Sequence, residues 1–185
     1  MSLNQSTKYS GMAITLHWLV AVAVIATWLI TMAAESASTR EARGEIMGNH
    51  FALGVVIFSL VAIRLIWRLM NPPPPRPAGS AGWERMLGKT VHYAMYTLLL
   101  VMPLAGWFAM SSFDSAISVW GLFDVPKLPV PVNEALGEQI FEVHAIAGTT
   151  LLVLIAVHVL ATLKHTFIDK DGTIFRMLPF GTAKS

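Results

Sequence analysis

The sequence has no cysteine among its 185 residues. That excludes disulfides, thiolate metal ligands, Cys-held iron–sulfur clusters and covalent haem attachment through a C-x-x-C-H motif. Charge is also scarce. Asp, Glu, Lys and Arg make up 13% of the chain, against roughly 25% in soluble domains. A net charge of +2 offers no broad basic surface, so nucleic acid is not a sensible partner. No internal repeat is evident. What the chain has in quantity is apolar side chains, at 55%, with a mean hydropathy of +0.60. The composition is that of an integral membrane protein, with lipid as its principal partner, and the length suits a single domain over residues 1–185.

Four stretches are long enough to cross a hydrocarbon core, which takes about 20 apolar residues. They run over about 12–33, 48–70, 90–112 and 143–164. The expected fold is all-α, an integral membrane four-helix bundle. The first span is too long for a signal peptide and lacks a basic leader, so it is read as retained. The run Pro72–Pro73–Pro74–Pro75–Arg76–Pro77 ends the second helix and starts a stiff connection. The longest loop, Phe113 to Gly137, carries Pro126, Pro129 and Pro131 and is expected to be structured but irregular.

Lys and Arg set the expected direction. Ten of the thirteen fall on the side that holds both termini, and only Arg40, Arg43 and Lys127 on the other. The positive-inside rule then makes both termini cytoplasmic. The opposite side carries those three cations and eight carboxylates, a net charge of −5.

Six histidines are present, and four lie inside spans at two matched depths. An ionisable residue in hydrocarbon is expensive and is a functional candidate by default. His144 and His158 stand fourteen residues apart on the fourth span. That spacing puts them on nearly one face, about 21 Å apart along the axis. His50 is the partner expected for His144 at the outer level. His158 has two candidates, His17 and His92. A haem against a helix needs a small neighbour one turn from its axial His. Ala21, Gly54, Gly148 and Thr162 follow His17, His50, His144 and His158 at that distance, whereas bulky Tyr96 follows His92. His17 is therefore the better inner ligand, and His92 reads as a polar neighbour near the cytoplasmic surface.

Imidazole also suits zinc, copper and nickel. A zinc site, however, gathers three or four protein ligands, and each level here offers two good imidazoles without an intramembrane acid. Two trans imidazoles suit a b-type haem, so the expectation is two haem b groups, with His17, His50, His144 and His158 on the irons. The plain alternatives are a buried His bonded to a carbonyl and small residues used for helix packing. Arg64 and Arg68 suit haem propionates and the positive-inside rule equally well. Read alone, His165 is solvated or interfacial.

Together these residues resemble the bacterial cytochrome b561 family, four-helix di-haem b proteins of the cytoplasmic membrane. The likeness runs over nearly the whole chain. It comprises His17–Trp18–Leu19, His50 with Gly54, and Arg64–Leu65–Ile66–Trp67–Arg68 before the proline run. It continues with His92 and Tyr96 ahead of Pro103 and Gly106, then His144, His158, Lys164–His165 and Lys170–Asp171 through Arg176–Met177. The resemblance implies an inner haem on His17 and His158 and an outer haem on His50 and His144. It also implies quinone chemistry, with ubiquinone or another quinone as acceptor and Lys89, His92 and His165 as candidate contacts. Some members are described as oxidising superoxide at the outer face. The outer charge of −5 opposes steering of an anion, so a periplasmic donor of another kind is equally consistent.

Three functions follow as expectations. The first is transmembrane electron transfer from a periplasmic donor to quinone, an oxidoreductase activity. The second is a cytochrome b anchor subunit of a larger dehydrogenase. The third is a metal or haem transporter, which the apolar run between His144 and His158 disfavours.

Overall fold

A computed structural model describes residues 8–75 and 82–181; Arg76 and Pro77 of the proline run lie outside these. Four long helices dominate: α1 (Gly11–Glu35), α2 (Arg40–Met70), α3 (Gly82–Ser112) and α4 (Glu134–Lys164). All four are long and apolar enough to cross a membrane. α4 runs on into one π-helical turn, His165–Asp169, followed by a 3-10 turn, Thr173–Arg176. The architecture is all-α apart from one two-stranded hairpin, β1 (Ile117–Val119) with β2 (Phe123–Val125).

The helices outrun the apolar spans. α2, α3 and α4 each begin about two turns before their hydropathic stretches. A helix of 31 residues is about 46 Å long, more than the roughly 30 Å of hydrocarbon. Hydropathy marks only the lipid-immersed part, and capped polar turns prolong the helix beyond it. Thr39 Oγ1 accepts from Ala42 N at 3.1 Å, and Asn133 Oδ1 accepts from Leu136 N at 3.1 Å. Both occupy the N-cap position, where a side-chain oxygen satisfies an orphan donor.

α1 packs along α2, α3 packs along α4, and α2 meets α3. The α4 backbone makes no sustained approach to α1 or α2 among the described residues. At mid-height Val20, Ala23, Val24, Ile57, Val61 and Leu151 form a buried apolar cluster. Most of the remaining apolar surface, Val22, Leu69 and Ile146 among it, faces outward, as lipid contact requires.

The two ends of the bundle are built differently. At the termini end, Arg176 is 7% exposed and donates to the Pro74 and Pro75 carbonyls at 2.8 and 2.6 Å. Tyr9 N donates to the Arg176 carbonyl, and Trp18 Nε1 to that of Met177. At the other end the expected irregular loop contains the hairpin. Its turn puts Trp120 and Gly121 at φ 51° and 70°, the left-handed pair of a type I′ turn. Trp120 is not suited to that region, and its Nε1 is held by Asn49 Oδ1 at 3.1 Å. Ile117 and Val119 are buried, and β1 lies against α2. Phe113 stacks on Phe141, which stacks on Phe51.

Gly137 is required by this stacking. A Cβ there would meet the Phe113 ring at 2.5 Å. Gly137→Ala is expected to cost about 1–3 kcal/mol through overpacking, read as a lower melting temperature in detergent. Adding Phe113→Leu should recover part of the loss; a Gly137→Ala chain that melts like the native one would refute the contact.

Candidate functional site

α4 brings two histidines to one face, and each meets a histidine from across the open side of the bundle. At the hairpin end, the His50 and His144 ring centres are 6.1 Å apart, with planes at 64°. At the termini end, His17 and His158 stand at 6.3 Å and 68°. All four are half-buried. Two imidazoles on one metal, each bonded at roughly 2 Å with the ring centre about 1 Å behind the nitrogen, have centres roughly 6 Å apart. Both pairs match that spacing. His92 also meets His158, but at 5.2 Å, shorter than two imidazoles on opposite sides of one metal would stand. Its Nδ1 is paired with the Gly88 carbonyl.

The surroundings test whether a haem fits. Each pair spans the gap between α4 and the α1–α2 pair, where helix backbones leave room. The Thr31 hydroxyl gives its single proton to the Thr27 carbonyl at 3.1 Å. It must then accept from His50 Nδ1, 3.0 Å away. That fixes the Nδ1–H tautomer and leaves the Nε2 lone pair for a metal. His144 Nδ1 is buried with no hydrogen-bond partner. Gly106 lies against the His144 ring edge, where a Cβ would stand 3.7 Å from Cε1. A Cβ on Gly54 would meet nothing within 4 Å, so open space follows His50 by one turn. Gly148 faces only the flexible Met102 methyl. The residues fit the group.

Around the termini-end pair, Arg64 donates from Nη1 to the Ala13 carbonyl at 2.6 Å and from Nε to the Tyr96 hydroxyl at 3.0 Å. Tyr96 thus anchors Arg64. Arg64 and Arg68 line one small cavity with Tyr9, Ala13, Trp67, Asn71 and Tyr96. Lys89 is exposed in an open groove with Gly82, Arg85 and Met86. His165, read alone as solvated or interfacial, has a side chain 22% exposed and paired with carboxylates. Its Nδ1 lies 2.8 Å from Asp171 Oδ2 and 3.0 Å from Asp169 Oδ2. Lys164 Nζ joins Asp169 at 2.7 Å to Glu84 on α3 at 2.9 Å. Lys89, His92 and His165 therefore belong to the same end of the bundle but not to one tight cluster.

Sequence reasoning missed Glu84, Asp169 and Asp171. The available signal was Asp169 four residues beyond His165, a helical ion-pair spacing. The ligating atoms of His165, Asp169 and Asp171 lie within 4.8 Å of one another, a grouping that could hold a metal ion. Lys164 already supplies a cation to Asp169 there.

Burial pushes the Asp171 carboxyl up, but Thr173 hydrogen bonds and the neighbouring His165 push it down by more, so it lies below the usual range. A lowered carboxyl stabilises the fold above its unfolded pKa of about 4 and loses that contribution as pH falls through the lower folded value. Asp171→Asn is therefore expected to melt below the native chain at neutral pH, with the difference vanishing in acid. A difference that persisted or grew in acid would contradict this.

The chain matches the family model described as prokaryotic cytochrome b561 over residues 8–180. It is 30% identical over 181 residues to cytochrome b561 homolog 2 of Escherichia coli (strain K12), covering 95% of this chain and 93% of that protein. It is 32% identical to cytochrome b561 homolog 1 of the same organism, covering 93% and 97%. It is also 27% identical to a protein of Yersinia pestis named probable superoxide oxidase CybB, covering 93% and 96%. With four candidate spans and paired histidines already in place, the match is decisive: the chain belongs to the prokaryotic cytochrome b561 family of multi-pass membrane electron-transfer proteins, a family that implies haem b.

Proposed function

We propose that this protein carries electrons across the bacterial cytoplasmic membrane through two b-type haems, from a periplasmic donor to a quinone on the cytoplasmic side. The observation that carries the reading is the pair of imidazole couples, each at a one-metal spacing, reaching across the open side of α4. His17 and His158 hold the inner haem; His50 and His144 hold the outer one. Haem supplies one-electron redox chemistry. The chain supplies ligands, tautomer control by Thr31 and a dry interior. Arg64 and Arg68 lie on the cavity nearest Ala13, one turn before His17, where they suit inner propionates. The excess of Lys and Arg at the termini end supports its cytoplasmic placement. Lys89, His92 and His165 at that end are the proposed quinone contacts.

The relative named probable superoxide oxidase makes superoxide a donor to test first. Asp114 is ion-paired with Lys127, which withdraws one of the three outer cations. Arg43 lies seven residues before His50. That is two turns along the same helix face, so Arg43 is the cation best placed to draw an anion inward.

The hairpin favours a second reading. Trp120, Leu122 and Phe123 are exposed at its tip, a surface an anchor subunit would use to hold a dehydrogenase partner. The transporter reading is disfavoured by the buried apolar cluster at mid-height, between the histidine levels.

Purified protein is expected to contain two b-haems per chain by pyridine haemochrome, and none with ample haem supply would sink the reading. His50→Ala or His144→Ala should lose one haem and keep the other. His92→Ala should keep both; retention of only one would overturn the inner pairing. Lys89→Ala should leave the spectrum near native and slow quinone reduction, and unchanged kinetics would remove Lys89 from the quinone site.

A further inference from the structure

His144, Leu151 and His158 on α4 and His165 at the start of the π-helical turn recur at seven-residue intervals. Seven residues are nearly two turns, so His165 shares the inward face with His158 and lies about 10 Å beyond it. Its side chain is 22% exposed, which places it between the bundle interior and water. Both carboxylates engage the same ring nitrogen, Nδ1, at 2.8 and 3.0 Å. Nε2 takes no part in either contact. The two acids differ in their other commitments. Asp169 is matched by Lys164, which Glu84 of α3 also holds. Among the described residues no Lys or Arg pairs with Asp171, and its two oxygens are divided between Thr173 N, at 2.9 Å, and His165 Nδ1. Arg176 follows in the 3-10 turn but points its guanidinium at the Pro74 and Pro75 carbonyls. Arg85, Lys89 and His92 complete the charged and titratable groups on the facing part of α3.

We propose that Asp171 is a positioning residue for proton delivery: it fixes the His165 ring so that Nε2 hands a proton to a reduced quinone oxygen at the termini end. This rests on the quinone reading above. The balance is simple. The quinone takes two electrons from the periplasmic donor, by way of the haems that the paired imidazoles would hold, and each oxygen then takes one proton. In each transfer the His165 Nε2–H bond breaks and a quinol O–H bond forms. The imidazolium becomes neutral imidazole and recovers its proton from water at the exposed edge. Asp171 stays a carboxylate throughout, holding Nδ1–H and stabilising the cation that forms, as an acid behind a catalytic imidazole does.

The test uses the full haem-loaded chain, with reduced haem mixed either with a water-soluble ubiquinone analogue or with ferricyanide, which takes an electron without a proton. Haem reoxidation is followed against pH. With Asp171→Asn, quinone reactivity should fall at least several-fold at every pH followed, because the ring loses the carboxylate that orients it. Asp171→Glu should keep the native profile. With His165→Gln, quinone reactivity should fall roughly 10²-fold, the scale of a lost general acid. Ferricyanide rates should match the native chain in all three. Native quinone profiles in both Asp171→Asn and His165→Gln would overturn the relay. His165→Gln decides the matter even where Asp171→Asn weakens the fold. A native chain that reacts with ferricyanide and never with the quinone would overturn the quinone reading itself.

Discussion

α4 meets α1 and α2 through side chains rather than through interlocked backbones, with paired imidazoles at two levels and Leu151 between them, and the rest of the bundle depends on that. In hydrocarbon no hydrophobic force draws helices together, so packing, polar contacts and bound groups must do it. Here α1 with α2 and α3 with α4 supply close packing within pairs, and α2 against α3 joins the pairs along one side. The other side is spanned by His17 to His158 and His50 to His144. In the proposed reading a metal completes each span, so the free energy of haem binding is also free energy of closure. Such a fold gains stability by mass action as cofactor is supplied. The small residues near the histidines make the same point from the steric side, since bulk there would fill the space that the imidazoles cross.

The interior is graded from one end to the other. At the hairpin end, Phe51, Phe141 and Phe113 form an aromatic stack beside the His50 level. At mid-height the core is wholly apolar. At the termini end, Glu84, Lys164, His165, Asp169 and Asp171 are linked at the boundary with water. Electrons cross an apolar gap by tunnelling, whereas protons need a chain of polar groups. The arrangement separates the two, with proton-bearing groups concentrated where a quinone would need them.

Much of this was legible in the sequence, because hydropathy and histidine spacing act through simple geometry. Four spans follow from runs of apolar residues, and the fourteen-residue interval of His144 and His158 follows from the helical repeat. The choice of His17 over His92 came from the size of Tyr96, and the ring distances favour the same choice for a different reason. What stayed hidden depends on contacts between distant segments. The extra turns of α2 and α4 come from Thr39 and Asn133 as caps on polar sequence that hydropathy ignores. The hairpin was masked by its prolines and by Trp120 in a backbone region where Gly or Asn would have advertised the turn. The cage around His165 needs Glu84, eighty residues from Lys164, and no local pattern points to it.

The Arg176 knot has a consequence for how the protein is made. Its guanidinium binds carbonyls 101 and 102 residues earlier, and its own carbonyl receives Tyr9 N. The segments around Tyr9, Pro74 and Arg176 are therefore tied at one residue. The first two helices can enter the membrane while the rest is still being translated, but their ends at this face stay unfastened until residue 176 has left the ribosome. Closure of this face must then wait for residue 176, which leaves the space between α4 and the first two helices open to loading until it arrives.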